Sequence, residues 1–169
     1  PDVLYAGTAT AGVWRSLDRG LSWTNATADL PMGGLSALEI DHGDADVVYA
    51  EIMSSIYKTS DGGMSWNATG DPAFQALVLN TADIVMHPTN QAVLWACTNG
   101  GLFSTMDGGA NWTLELTGEF QELEFHPTDH DTIYVVKYIS DKTEFYRSVD
   151  GGSSFQLQGS GWPDPDTGA

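Results

Sequence analysis

The stretch Thr59-Ser-Asp61-Gly-Gly63-Met-Ser-Trp66 decides the fold of this chain, because it recurs three more times. The other copies are Ser16-Leu-Asp18-Arg-Gly20-Leu-Ser-Trp23, Thr105-Met-Asp107-Gly-Gly109-Ala-Asn-Trp112 and Ser148-Val-Asp150-Gly-Gly152-Ser-Ser-Phe155. The four share the pattern Ser/Thr-x-Asp-x-Gly-x-x-Trp/Phe, and their aspartates are 43, 46 and 43 residues apart. A period of about 40–50 residues is typical of propeller blades. The repeat therefore predicts a β-propeller.

The sequence around each copy repeats as well. Short strands rich in Val, Ile, Tyr and Trp, separated by Gly, Pro, Asn and Asp, are typical of all-β proteins, and no segment shows helical periodicity. We predict a strand B at residues 3–6, 47–50, 93–96 and 132–135, and a strand C at residues 12–16, 55–59, 101–105 and 144–148. Strand A precedes only three of them, at residues 38–42, 84–88 and 123–127, and strand D begins at each motif aromatic. Each unit is thus predicted to be a four-stranded antiparallel blade.

These features resemble the Asp-box propellers, also called bacterial neuraminidase repeats, over nearly the whole chain. The segments that carry the resemblance best are Phe125-His-Pro-Thr-Asp129, Thr132-Ile-Tyr134 and Phe145-Tyr-Arg-Ser-Val-Asp150-Gly-Gly152. Within that group the sequence is most similar to sortilin-type receptor propellers and to xyloglucan-cleaving glycoside hydrolases built of two propellers. The resemblance implies blades at residues 1–160 and a tail or linker at 161–169. We expect a partial blade at 1–30 that lacks its innermost strand, and whole blades at 31–75, 76–117 and 118–160.

The motif chemistry indicates a structural turn. An aspartate accepts hydrogen bonds from the N–H groups of its own turn, and the glycine two residues later can adopt a positive φ. We expect the aromatic to fold over the turn and pack against its own blade, which makes each box a self-contained unit. The resemblance places the boxes on the outer rim, far from the central channel, so Asp18, Asp61, Asp107 and Asp150 are interpreted as structural residues.

Composition limits the partners of the chain. It has 6 basic and 23 acidic residues, a net charge of −17, which repels nucleic acid and anionic membranes. A single cysteine, Cys97, excludes an intrachain disulfide, and its apolar surroundings in the sequence predict a buried, inert thiol. No cofactor or metal is expected, since Asp41, Asp44 and Asp46 do not match the spacing of a calcium loop. The expected partners are the remaining blades of the same protein or other copies of it, with a glycan or protein ligand as a further option.

Residues for catalysis do not stand out. The resembling sialidases hold a carboxylate with three arginines, but Arg15 and Arg147 occupy the same repeat position and Arg19 lies inside a box. A glycosidase needs two carboxylates about 5–10 Å apart across a cleft. The candidates at strand ends are Glu39, Glu51, Glu122 and Glu124, whereas Asp83 stands just before its own strand A and has no repeat counterpart. Glu39 and Glu124 share one repeat position, which favours an architectural role.

Three glycosylation sequons occur: Asn25-Ala-Thr27, Asn67-Ala-Thr69 and Asn111-Trp-Thr113. All lie on or beside strand D, the outermost strand of each predicted blade. Since side chains alternate along a strand, Asn67 and Asn111 point away from the adjacent box aromatic. We predict glycans at Asn67 and Asn111 before Asn25, and an extracellular or cell-surface location.

The sequence favours a non-catalytic extracellular propeller that serves as a scaffold or binding module. Four blades leave two faces uncovered, so the chain is expected to be a segment of a larger protein or assembly. Two alternatives stay open: a fragment of a glycan-active glycoside hydrolase, and a sortilin-like propeller that binds peptides.

Overall fold

The computed structural model describes residues 2–77, 81–139 and 142–159; the predicted tail at 161–169 lies outside the described residues. The first two sheets contain β1 (Leu4–Thr8), β2 (Gly12–Ser16), β3 (Thr24–Asn25), β4 (Leu35–Ile40), β5 (Val48–Ile52), β6 (Ser55–Thr59) and β7 (Asn67–Ala68). The last two contain β8 (Thr81–Met86), β9 (Leu94–Thr98), β10 (Gly101–Thr105), β11 (Thr113–Thr117), β12 (Glu119–Phe125), β13 (Ile133–Ile139), β14 (Lys142–Ser148) and β15 (Gln156–Leu157).

The strands form four antiparallel sheets in strict chain order. The first sheet has three strands, β1-β2-β3, and the other three have four: β4-β5-β6-β7, β8-β9-β10-β11 and β12-β13-β14-β15. We call these sheets blades 1 to 4 and name their strands A to D, with β1 as a strand B. Strand β4 lies between β1 and β8, and β8 contacts β12, so successive blades stack side by side with their inner strands together. The predicted all-β propeller architecture, with a first blade that lacks its innermost strand, is confirmed.

One short helix, α1 (Pro72–Leu77), lies between blades 2 and 3, and the expectation of no helix was therefore wrong. The Asp71 carboxylate accepts a hydrogen bond from the Phe74 N–H at 2.8 Å, which is an N-cap, and Pro72 occupies the first helical position. Six residues are too few to show a hydrophobic period, so the sequence pattern missed it. The described part of the chain contains no helix long and apolar enough to cross a membrane.

The core is divided into three layers, one in each seam between neighbouring blades. Each seam buries apolar side chains from the two facing sheets. Blades 1 and 2 enclose Val13, Ala26, Leu30, Val48, Ala50, Ile52 and Trp66. Blades 2 and 3 enclose Ala37, Tyr49, Ile56, Phe74, Ile84, Met86, Leu94, Ala96 and Phe103, and blades 3 and 4 enclose Trp95, Cys97, Leu102, Phe120, Leu123, Ile133 and Val135. Each blade thus depends on its neighbour for burial, as in other repeat proteins.

Candidate functional site

Each Asp box is a dense network of local hydrogen bonds between strands C and D. In blade 2 the Thr59 hydroxyl donates to Asp61 at 2.7 Å and accepts from the Gly63 N–H at 3.0 Å. The other carboxylate oxygen of Asp61 accepts from the Ser65 hydroxyl at 2.6 Å. Because these bonds favour the ionised carboxylate, they lower the pKa of Asp61 to about 2.

The other boxes repeat this network. The hydroxyl-to-aspartate bonds are Ser16–Asp18 at 2.8 Å, Thr105–Asp107 at 2.8 Å and Ser148–Asp150 at 2.7 Å. Hydrogen bonds from Ser22 and Asn111 lower the pKa of Asp18 and Asp107 to about 2, and those from Ser154 and Ser148 lower the pKa of Asp150. The box glycines Gly20, Gly63, Gly109 and Gly152 have φ of +88° to +89°, which a side chain resists. Each aspartate is committed to its own turn.

Three of the four box aromatics cross the seams, although each was expected to pack against its own blade. The Trp66 indole donates to the Ala26 carbonyl of blade 1 at 2.9 Å, and the Trp112 indole donates to the Thr69 hydroxyl of blade 2 at 3.3 Å. Phe155 packs edge-on against Trp95 of blade 3 at 5.7 Å. The box is therefore a staple between blades, because strand D begins beside the outer part of the preceding sheet.

The candidate carboxylates of strand A also cross the seams. Glu39 of β4 accepts a hydrogen bond from the Met86 N–H of β8 at 2.9 Å, and Asp83 of β8 accepts a long one from the Leu123 N–H of β12 at 3.5 Å. Burial raises the pKa of both carboxyl groups. The repeated geometry supports the architectural interpretation of the Glu39 position. Glu122 and Glu124 occupy the equivalent positions of blade 4 and are exposed.

Glu51 lies in the seam between blades 2 and 3, where it is 1% exposed. One carboxylate oxygen accepts the Ser54 N–H at 2.8 Å, in a turn where Met53 and Ser54 both have positive φ. Glu51 thus lies in β5 and holds the turn that follows this strand, whereas Glu39 and Asp83 lie on strands A.

A tyrosine and a cation form a further seam contact. Tyr5 of β1 and Arg15 of β2 are paired across the sheet. The Tyr5 hydroxyl donates to the Ala45 carbonyl at 2.9 Å, and Arg15 forms an ion pair with Asp46. Both acceptors lie in the A–B turn of blade 2. The sequence analysis did not predict this contact, because its partners lie in different blades.

The three arginines do not converge on one site. Arg15 is bound at the seam, and Arg19 pairs with Asp2 on the outside of blade 1 at 2.5 Å. Arg147 is exposed on blade 4. The structure thus provides no arginine triad within residues 2–77, 81–139 and 142–159.

Histidine and aspartate side chains of the A–B turns have local hydrogen-bond partners. The Nδ1 atom of His87 accepts the N–H groups of Thr89 and Asn90 at 3.2 and 3.1 Å, and His126 repeats this arrangement. Asp41 accepts the Gly43 N–H at 2.7 Å. Among the described residues no group of three or more His, Cys, Asp or Glu side chains is placed to hold a metal ion. Cys97 is buried, and burial raises the pKa of its thiol.

The sequon asparagines Asn25, Asn67 and Asn111 are all exposed. Their environments differ, because the Asn111 amide donates to Asp107 at 2.7 Å and so belongs to its box. The hydroxyls of Thr27 and Thr69 donate to strand-C carbonyls, at 3.2 Å to Val13 and 3.1 Å to Ile56. The repeat of these threonines therefore has a structural reason of its own.

The comparison with curated proteins finds xyloglucanases. A xyloglucanase of Hypocrea jecorina is 29% identical over 164 residues, which cover 94% of this chain and 19% of that protein. A probable oligoxyloglucan-reducing end-specific xyloglucanase of Neosartorya fischeri is 34% identical over 74 residues, 40% of this chain and 9% of that protein. The chain thus spans less than a fifth of the length of either relative. No family model matches the chain.

Solved structures agree on the fold. An ancestral GH74 enzyme superposes with a TM-score of 0.76 at 20% identity, over 92% of this chain and 22% of that chain. The GH74 xyloglucanase of Xanthomonas campestris gives 0.74 at 18% identity, over 92% of this chain and 28% of its own. The protein YCF48 bound to D1 peptide gives 0.63 at 18% identity, over 90% of this chain and 50% of its own. At these identities the likeness shows the propeller fold alone.

Proposed function

We propose that this chain forms consecutive blades of a polysaccharide-active propeller of the xyloglucanase type. In this proposal its own blades serve as non-catalytic scaffold and binding surface. The relation to two xyloglucanases over up to 94% of the chain supports the polysaccharide part. If the whole protein is an enzyme, it is a glycoside hydrolase.

One observation carries the non-catalytic part: Glu39 and Asp83, the inner-strand carboxylates of blades 2 and 3, bind backbone N–H groups of the next blade. A glycosidase acid or nucleophile must face the scissile bond across a cleft. Carboxylates committed to a seam are held away from that task. Neither Glu39 nor Asp83 is therefore assigned to a catalytic pair.

Incubation of the chain with xyloglucan tests both parts. Affinity electrophoresis measures binding, with unbranched β-glucan as the control polysaccharide, and a reducing-end assay measures cleavage. We expect slower migration in xyloglucan and no new reducing ends. Cleavage that is lost in Glu122→Gln or Glu124→Gln would contradict the non-catalytic assignment, and unchanged migration would contradict the polysaccharide assignment.

An extracellular location belongs to the same proposal. The exposed asparagines of three sequons support it, and Asn67 is the leading acceptor because the side chain of Asn111 is bound to its box aspartate. Secretion from a glycosylation-competent eukaryotic cell, followed by intact-mass measurement before and after deglycosylation, tests it. We expect a mass loss that Asn67→Gln diminishes; an unchanged mass would contradict the idea.

A further inference from the structure

The turn between strands B and C of blade 3 contains the only Asn-Gly pair of the sequence, Asn99-Gly100. Asn99 is exposed, and within the part of the chain that the structure describes its side-chain amide has no hydrogen-bond partner. Asparagine is chemically labile, and most so before a glycine, because the next backbone nitrogen is then not shielded by a Cβ atom. The turn therefore brings together the two groups that react in spontaneous deamidation.

The glycine of this pair is required by packing and not by the conformation of the turn. Asn-Gly is typical of a type I′ hairpin, in which both residues have positive φ, but neither Asn99 nor Gly100 has a positive φ. A Cβ atom on Gly100 would lie 2.3 Å from the Leu77 carbonyl oxygen at the end of α1. Helix α1 thus excludes a larger residue that would shield the Gly100 nitrogen and slow the reaction.

The buried hydroxyl of Thr98 fixes the main chain on both sides of the pair. Its oxygen accepts the N–H groups of Gly100 and Gly101 at 3.1 and 3.0 Å, and it donates to the Gly101 carbonyl at 2.9 Å. These three bonds require a fixed spacing between Thr98 and Gly101. A longer main chain between Asn99 and Gly100 would therefore break them.

The Asp-Gly pairs of the boxes can form the same cyclic imide, but their surroundings oppose it. These pairs are Asp61-Gly62, Asp107-Gly108 and Asp150-Gly151. The glycine N–H of each donates to a backbone carbonyl of the A–B turn, at 2.8 to 2.9 Å. The carboxylate oxygens are bound as well, those of Asp61 by the Thr59 and Ser65 hydroxyls. Such bonds hold the carboxylate ionised, which makes its carbon a poor target for a nucleophile. The boxes are thus protected, whereas the amide of Asn99 is not.

We propose that Asn99 is a site of spontaneous deamidation whose product weakens the turn that contacts α1. Solvent hydroxide removes the Gly100 amide proton, and the nitrogen attacks the Cγ atom of Asn99. A new C–N bond forms, the bond from Cγ to the side-chain nitrogen breaks, and ammonia leaves with a proton from water. A water molecule then opens the cyclic imide at either carbonyl, which leaves aspartate or isoaspartate at this position.

The isoaspartate product changes the backbone of the turn. Its main chain runs through the former side chain, which adds one carbon atom between the Cα atom of residue 99 and the Gly100 nitrogen. The Thr98 hydroxyl then loses its bonds to Gly100 and Gly101, and Gly100 shifts against the Leu77 carbonyl. We therefore expect the modified chain to be less stable than the original.

Incubation of the folded chain at mildly alkaline pH, with chymotryptic peptide mapping at intervals, tests the site. We expect the peptide that contains Asn99 to gain the mass of an NH-to-O exchange and to become a substrate of an isoaspartate-specific methyltransferase. The matched control Asn99→Gln should show no gain in this peptide, since glutamine would have to form a larger ring. A peptide that keeps its mass in the folded chain but converts in urea would overturn the proposal, and so would isoaspartate in the folded boxes at the rate of Asn99.

Urea unfolding of the incubated chains tests the effect on the turn. The Asn99→Asp variant, measured fresh, carries the new charge on a main chain of normal length. We expect a midpoint at lower urea for the incubated original chain, and an unchanged midpoint for incubated Asn99→Gln and for fresh Asn99→Asp. An equally low midpoint for Asn99→Asp would overturn the role of the lengthened main chain.

Discussion

The boxes of blades 1 and 2 have the same local geometry and different surroundings. Trp23 is 39% exposed, and its indole donates to the Gly20 carbonyl of its own turn. Trp66 is 5% exposed, and its indole donates to Ala26 of the neighbouring blade. In both boxes the aspartate accepts hydrogen bonds from the hydroxyl two residues before it and from the serine four residues after it. The comparison separates two roles of one motif: the aspartate closes a local turn, and the aromatic joins two blades.

The largest loss of stability is expected when the contact of a box aromatic with the neighbouring blade is removed. Trp66→Ala deletes a buried indole from the first seam and should destabilise the chain by about 3–5 kcal/mol. Trp23→Ala removes a partly exposed ring and should cost about 1 kcal/mol or less. Urea midpoints of the two variants give the difference. Equal losses would show that the aromatic acts only within its own turn.

Substitution of the box glycines tests the same difference between blades 1 and 2, with a smaller loss of stability. Both have left-handed φ, so an alanine strains either backbone by about 1–2 kcal/mol. At Gly63 a Cβ atom would also lie 2.6 Å from the Ala26 carbonyl oxygen, whereas at Gly20 the nearest atom is 3.6 Å away. We expect Gly63→Ala to cost about 2–4 kcal/mol and Gly20→Ala to cost only the backbone strain. A smaller loss for Gly63→Ala in thermal unfolding would contradict the tight seam.

The box carboxylates should respond alike in both blades. Their folded pKa is depressed to about 2, so their contribution is present above the ordinary value near 4 and is lost as pH falls toward 2. Asp18→Asn and Asp61→Asn should each flatten the loss of stability between about pH 4 and 2 by similar amounts. Urea unfolding at a series of pH values measures this. A flattening confined to Asp61→Asn would show that the seam sets the pKa.

The smallest change in stability is expected for the substitution Glu39→Gln. Its pKa is raised by burial, so the folded state disfavours the ionised form, and stability falls as pH rises through that pKa. Glu39→Gln keeps an oxygen for the Met86 N–H and removes the charge. We expect stability at pH 7 to stay equal or rise by up to about 1 kcal/mol, with no change well below pH 4. Glu39→Ala, which also removes the acceptor, should instead lower stability at both pH values.

Much of the fold was readable from four copies of one motif. The repeated residues predicted the blade period, the order of the strands and the missing strand A of blade 1. The box turns were predictable because their Asp, Gly and hydroxyl residues bind one another within eight residues of sequence. Helix α1 was missed because six residues carry no period. The direction in which Trp66 and Trp112 point was also missed, because the alternation of side chains along a strand does not say which sheet covers each face.

The sequence by itself determined the local chemistry of this protein, because each box forms its turn from its own side chains. Tertiary structure alone decided where the remaining side chains act. Glu39, Asp83 and Arg15 each have their partner in the next blade, 31 to 47 residues away along the chain. Such contacts depend on how one sheet stacks on another. They show that residues considered for catalysis bind the neighbouring blade instead.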